Sequence, residues 1–198
     1  MTQNNYFVLG ANALPENSIT TFKLQCQKAS ASIVVVMNGP PVPGLYVIDP
    51  LIGDELITYF LFSASLWLDD DLPITYSFGF YSSNTSTTVA TFQKRSESSF
   101  ANYTLPSGQI DSNYTIRTIV TVYDSINAQS TLINIVQVYP FKASDSNALV
   151  NAIGSQLAAA MNSSNPEDAL NFLAVASAVM NSVNCSSASP SYCNQLNR

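Results

Sequence analysis

The chain has 198 residues, a net charge of −6 and only 10% charged residues, well under the ~25% usual in soluble domains. It holds no histidine and no basic cluster. That removes the commonest general base and metal ligand and argues against a nucleic-acid partner.

Ser, Thr and Asn take the place of the missing charges, a trade that suits a secreted or surface-exposed protein. The first ten residues have neither a basic n-region nor an apolar h-region, so they do not read as a signal peptide. No apolar run reaches the ~18 residues that span a membrane, and no membrane contact is expected.

Residues 20–26 alternate as a strand and 33–37 form a β-rich run. Leu14-Pro15 followed by residues 22–26 parallels Leu105-Pro106 followed by residues 114–118. In both places a polar hairpin and an apolar strand ending at proline come next. Residues 1–38 therefore read as the last strands of a preceding sandwich repeat. Residues 39–44, rich in Pro and Gly, read as a linker that neither helix nor ladder can cross.

A complete domain is expected over 45–140. Its strands are predicted at about 45–48, 55–66, 73–81, 87–93, 99–104, 113–123 and 130–139, separated by turn signals that include Ile52-Gly53-Asp54. Ile74, Tyr76, Phe78 and Phe80 alternate strictly, which marks a core-facing strand. Trp67 ends the run before it and Asp69-Asp70-Asp71 force the chain to the surface; we read Trp67 as a core plug at that corner. Seven short strands over about 100 residues predict an immunoglobulin- or fibronectin-III-like sandwich. Tyr114 is either the tyrosine that caps a sandwich corner or an ordinary core tyrosine.

After Pro140 the period changes. Leu149, Ile153, Leu157 and Met161 form one helical stripe over about 146–161. Asn165, Pro166, Glu167 and Asp168 then make a helix start, with Phe172, Leu173, Val175, Val179 and Met180 apolar in the helix that follows. The segment 145–184 is expected as an αα-hairpin. These helices lack the Lys and Arg of membrane-surface helices. Residues 185–198 read as the start of a cysteine-rich module.

No nucleophile elbow, P-loop, HExxH or dinucleotide fingerprint occurs, so no enzyme is expected. Cys26, Cys185 and Cys193 form no CxxC pair. Cys185 and Cys193 are near enough in sequence to close one small disulfide loop, leaving Cys26 odd. Asp69 to Asp71 join the strands that would be B and C, and Asp124 lies between F and G, loops that share one end of such a sandwich. Asp69, Asp71 and Asp124 are thus candidate Ca²⁺ ligands, the commoner reading of such acids being a solvated turn. No other cofactor is expected. For a secreted chain, Asn84, Asn102, Asn113 and Asn162 are acceptor sites for N-glycans, with Asn84 and Asn102 the best placed near turns, and Asn184 a poorer one.

Residues 44–60 and the string Trp67-Leu-Asp-Asp-Asp-Leu-Pro-Ile-Thr-Tyr-Ser-Phe-Gly-Phe80 resemble the REJ module, the receptor-for-egg-jelly region of polycystin-like surface proteins. The junction Asn38-Gly-Pro-Pro-Val-Pro-Gly44 is similar to the family's Asn-x-Pro-Pro linker. The resemblance covers about 10–140. It implies tandem PKD-like or fibronectin-like sandwiches in a long ectodomain, often upstream of membrane helices, with no catalytic residues. The helices at 146–183 are similar to the segment that follows such repeats in large protist surface proteins. The expected function is a structural and adhesive ectodomain segment, extracellular or at the cell surface. Its partners would be other domains of the same chain and a protein or glycan ligand. Two alternatives stand: an accessory carbohydrate- or protein-binding sandwich of a secreted hydrolase, with Tyr76, Phe78 and Phe80 as the aromatics to find exposed, and a surface-filament subunit whose residues 1–38 complete a neighbour's sheet.

Overall fold

A computed structural model of the chain describes residues 6–141 except 12 and 84, residues 146–162, and residues 169–177 except 171 and 174. Strands β1 (Ile19–Cys26) and β2 (Ala29–Val36) form an antiparallel ribbon. It shares no ladder with the other sheets. Period two puts Thr20, Phe22, Leu24 and Cys26 on one face with their partners Val35, Ile33, Ala31 and Ala29. The ribbon therefore has one largely apolar face, and Leu24 and Ile33 on it are exposed.

The next eight strands build the sandwich. They are β3 (Leu45–Asp49), β4 (Ile52–Asp54), β5 (Tyr59–Ser65), β6 (Thr75–Tyr81), β7 (Val89–Ser96), β8 (Phe100–Thr104), β9 (Thr115–Tyr123) and β10 (Gln129–Tyr139). One sheet runs β3-β5-β8 and the other β4-β10-β9-β6-β7. In immunoglobulin letters these are A-B-E against G-F-C-C′, with β4 added parallel to β10. The fold is a β-sandwich of the immunoglobulin and fibronectin-III kind. Both inner faces meet in one core that includes Ile48, Phe60, Phe62, Phe78, Phe92, Val120, Val122 and Val138. Phe92 stands 4.8 Å from Phe62 and stacks on Tyr103 at 4.4 Å, the offset ring packing that adds to area burial. Tyr76 and Phe78 are buried and Phe80 is half-buried, so this alternating strand faces the core.

Two local expectations are corrected. Ile52-Gly53-Asp54, read as a turn, is β4, because Gln137 to Tyr139 offer it a free edge. The strand expected from residue 55 begins at Tyr59. Residues 55–57 are a turn with Leu56 at φ 64°, a left-handed conformation uncommon outside glycine. Glu55 explains the stop. Its two carboxylate oxygens accept the backbone N–H groups of Ser107 and Phe141, both at 2.9 Å, and its own N–H donates to the Tyr139 carbonyl.

Helix α1 (Ser146–Asn162) follows the sandwich, and the described residues of 169–177 are helical too. Leu56, Phe172, Val175 and Ala176 form a second buried cluster, with Ile153, Leu157 and Ala160 packed against it. Tyr59 donates its hydroxyl to Gln156. The helical segment thus lies on the sandwich at the end where Leu56 turns. Among the described residues no helix is long and apolar enough to cross a membrane. Asn84, Asn165, Pro166, Asn184, Cys185 and Cys193 lie outside the described residues.

Candidate functional site

The chain enters the sandwich through its proline linker, and the linker is fastened to one end. Val42 pairs with Leu68 in an isolated bridge. The Ser130 hydroxyl donates to the Pro41 carbonyl at 2.6 Å. Asn38 donates its amide to Asp124 Oδ2. Gly44 fits because its backbone meets that of Ser65 and Leu66: a Cβ there would lie 2.1 Å from the Ser65 carbonyl oxygen. Trp67, just beyond β5, is buried in the main core beneath this end. Its Nε1 finds no acceptor among the described residues, so shape rather than polarity holds it there.

Asp69 and Asp71 lie in the β5–β6 loop and Asp124 in the β9–β10 loop. One carboxylate oxygen from each comes within 4.8 Å of the others. Asp124 is the anchor. It is buried, and Oδ1 accepts the N–H groups of Ile126 at 2.9 Å and Ala128 at 2.8 Å. Loss of water around it pushes its pKa up. The hydrogen bonds from Asn38, Ala128, Ile126 and Asn127 outweigh that and hold the carboxyl below its ordinary value. Asp69 and Asp71 are half-exposed, and Asp69 Oδ1 accepts the Asp71 N–H at 2.7 Å. Ser125 N–H donates to the Asp71 carbonyl at 3.0 Å, which ties the two loops directly. Asp70 is exposed and stands outside the trio.

Arg95 of β7 braces the same end. It donates to the Asp124 carbonyl at 2.7 Å and to Thr75 Oγ1 at 2.6 Å, bonds Asn127 Oδ1, and lies 4.6 Å over the Tyr123 ring. No local pattern in the chain points to Arg95 or Glu55 as braces. Asn38 stood in the quoted junction motif, but its partner 86 residues away did not. Next to the linker the trio opens on a cleft of about 910 Å³ between the ribbon's base and the sandwich, walled by Ser18, Met37, Asn38, Asp69 and Ile126 among others.

The remaining expected residues are dispersed. Tyr114 sits with Asn113 in left-handed backbone at the start of β9. Its N–H donates to Gln109 and its carbonyl accepts from Val138, both at 2.9 Å, and its half-buried ring lies 5.2 Å from Tyr139. Asn102, Asn113 and Asn162 are exposed. Cys26 is exposed and has no disulfide partner among the described residues.

A family model of the REJ domain matches residues 1–175. The chain belongs to the REJ domain family. Domains of this family are typically extracellular and typically non-catalytic, and the match supports a domain of extracellular, adhesive type. No curated protein matches it. Among the solved structures that are similar, two match about half of it. One belongs to a study of the promiscuous specificity of carbohydrate-binding modules of the β-sandwich superfamily: identity is 19%, the TM-score 0.39, and the match covers 55% of this chain and 38% of that one. The other is the PKD1 domain of Vibrio anguillarum Epp, at 17% identity and TM-score 0.33, covering 52% of this chain and 99% of that one.

Proposed function

We propose that the chain is a non-catalytic structural and adhesive segment of a large cell-surface protein, in which it spaces neighbouring extracellular domains. The observation that carries this reading is the fastened linker. Asn38, Pro41 and Val42 are each tied to the end of the sandwich, so the direction in which the chain arrives is set by backbone and side-chain hydrogen bonds rather than left to a loose tether. The ribbon of β1 and β2 is then the last hairpin of a preceding sandwich repeat. Its counterpart β9-β10 is flanked by β6 and β4 and faces the β3-β5-β8 sheet. Antibody raised against the folded domain should label intact cells of the source organism. Labelling that appears only after permeabilisation would reject the surface role.

The same end takes Ca²⁺ in this proposal, with Asp69, Asp71 and Asp124 as ligands. A spread of 4.8 Å between oxygens suits Ca²⁺–oxygen distances of about 2.3–2.6 Å, and waters or carbonyls complete the shell. Because the trio adjoins the linker, bound Ca²⁺ would stiffen the joint. For a site with a Kd of about 0.1–1 mM, ~10 mM Ca²⁺ adds about 1.4–2.7 kcal/mol. Tm should rise by about 3–10 °C, and Asp71→Asn should abolish the rise. An equal rise with Mg²⁺ or with NaCl of matched ionic strength would remove the site.

A further inference from the structure

Strand β8 reads Phe-Ala-Asn-Tyr-Thr, Phe100 to Thr104. Asn102-Tyr103-Thr104 is an N-glycan acceptor triplet, and strand alternation puts Phe100 and Asn102 on the same, outward face. Two residues of strand separate them by about 7 Å. The face around them carries exposed apolar side chains, with Ser63 between Val47 and Phe100 and the helical segment (Gln156, Ala159) bordering Asn102. Leu61 lies directly across from Asn102, and Val47 shares a row with Ser63 and Phe100. Phe100 is 60% exposed, Val47 53% and Leu61 42%. Exposed apolar side chains gathered on one face of a domain otherwise rich in Ser, Thr and Asn call for a cover. The other acceptors have no ring at the equivalent place: Ser82 precedes Asn84 by two, Asp111 precedes Asn113, Ala160 precedes Asn162, and Ser182 precedes Asn184.

We infer that Asn102 carries an N-linked glycan whose first N-acetylglucosamine lies on the Phe100 ring and covers the part of the outer β3-β5-β8 face that the helical segment leaves open. The C–H-rich face of a pyranose suits the negative face of an aromatic ring. The glycan comes from a lipid-linked oligosaccharide pyrophosphate. A bond forms between Asn102 Nδ2 and the anomeric carbon, the anomeric C–O bond breaks, the lipid pyrophosphate leaves, and the amide gives up one proton. Transfer to the extended chain precedes folding, so the burial of Thr104 in the finished strand is no obstacle. The sugar then replaces water over the aliphatic and aromatic side chains and keeps this face from pairing with another copy.

The inference rests on the extracellular reading, and its test is separable from the adhesive role. The full chain is given a secretion signal and expressed in eukaryotic cells, and occupancy at each acceptor is read by glycopeptide mass spectrometry. Asn102 should be occupied in most molecules. Because transfer precedes folding, Phe100→Ser should leave occupancy at Asn102 unchanged and should abolish the difference in Tm between the glycosylated protein and its Asn102→Gln variant. Asn102→Gln should raise hydrophobic-dye fluorescence and lower Tm by about 2–4 °C, whereas trimming the glycan to its first sugar should preserve Tm. An unmodified Asn102 overturns the inference. So do dye binding and Tm that are indifferent to the sugar, or a Tm effect of the sugar that survives Phe100→Ser.

Discussion

Asp124 concentrates the chemistry of this molecule in one side chain. Its depressed pKa means that the folded state favours the carboxylate. That stabilisation is fully present above the ordinary Asp range and is lost as pH falls through the depressed value. Asp124→Asn cannot present two acceptor oxygens to Ile126, Ala128 and Asn38. It should cost about 1–3 kcal/mol at neutral pH and flatten the acid limb of a stability profile measured by denaturant titration. A variant with unchanged acid sensitivity would show that other carboxylates govern the limb. The three acids were legible from loop placement alone, since the B–C and F–G loops of a sandwich share an end. Asn38 and Arg95 were not: each acts across a long sequence gap that no local pattern encodes.

At the scale of elements, the join between β4 and β5 shows where local patterning stops. The run from Glu55 to Phe62 reads as one strand by composition. Three tertiary bonds at Glu55 break it and turn Leu56 out of line into the cluster beneath Phe172 and Val175. The left-handed backbone at Leu56 is strained for a side chain of that size, and the burial of Leu56 offsets the strain. Leu56→Ala should cost about 2–5 kcal/mol at that contact. The helical segment should become sensitive to limited proteolysis while β5-β8 and β6-β9 keep their amide protection. Loss of protection throughout the sandwich would instead make Leu56 part of its main core.

Across the whole molecule, stability is unevenly spread. The sandwich buries aromatic rings from both sheets, whereas the ribbon of β1 and β2 has, among the described residues, two open edges and an apolar face on which Phe7 meets Phe22 while Leu24 and Ile33 stay exposed. A lone two-stranded ribbon is marginal in water. Amides in β1 and β2 should therefore exchange at least ~100-fold faster than those in β9 and β10. Equal protection would mean that the ribbon already has a cover in the isolated chain. Substituting Phe22 and Ile33 by Ser should leave the sandwich's Tm unchanged, read by differential scanning calorimetry.

Period-two alternation, turn residues and the late change to helical period were enough to place a β-sandwich over 45–140 and a helix after it, because those signals are local and each strand's inner face must be apolar. The Trp67-to-Phe80 string carried the family. Two things came only from the tertiary structure. One is the addition of β4 to β10, which depends on a free edge rather than on propensity. The other is the fastening of linker, acids and Arg95 into one end, which depends on loops far apart in sequence meeting where the two sheets close.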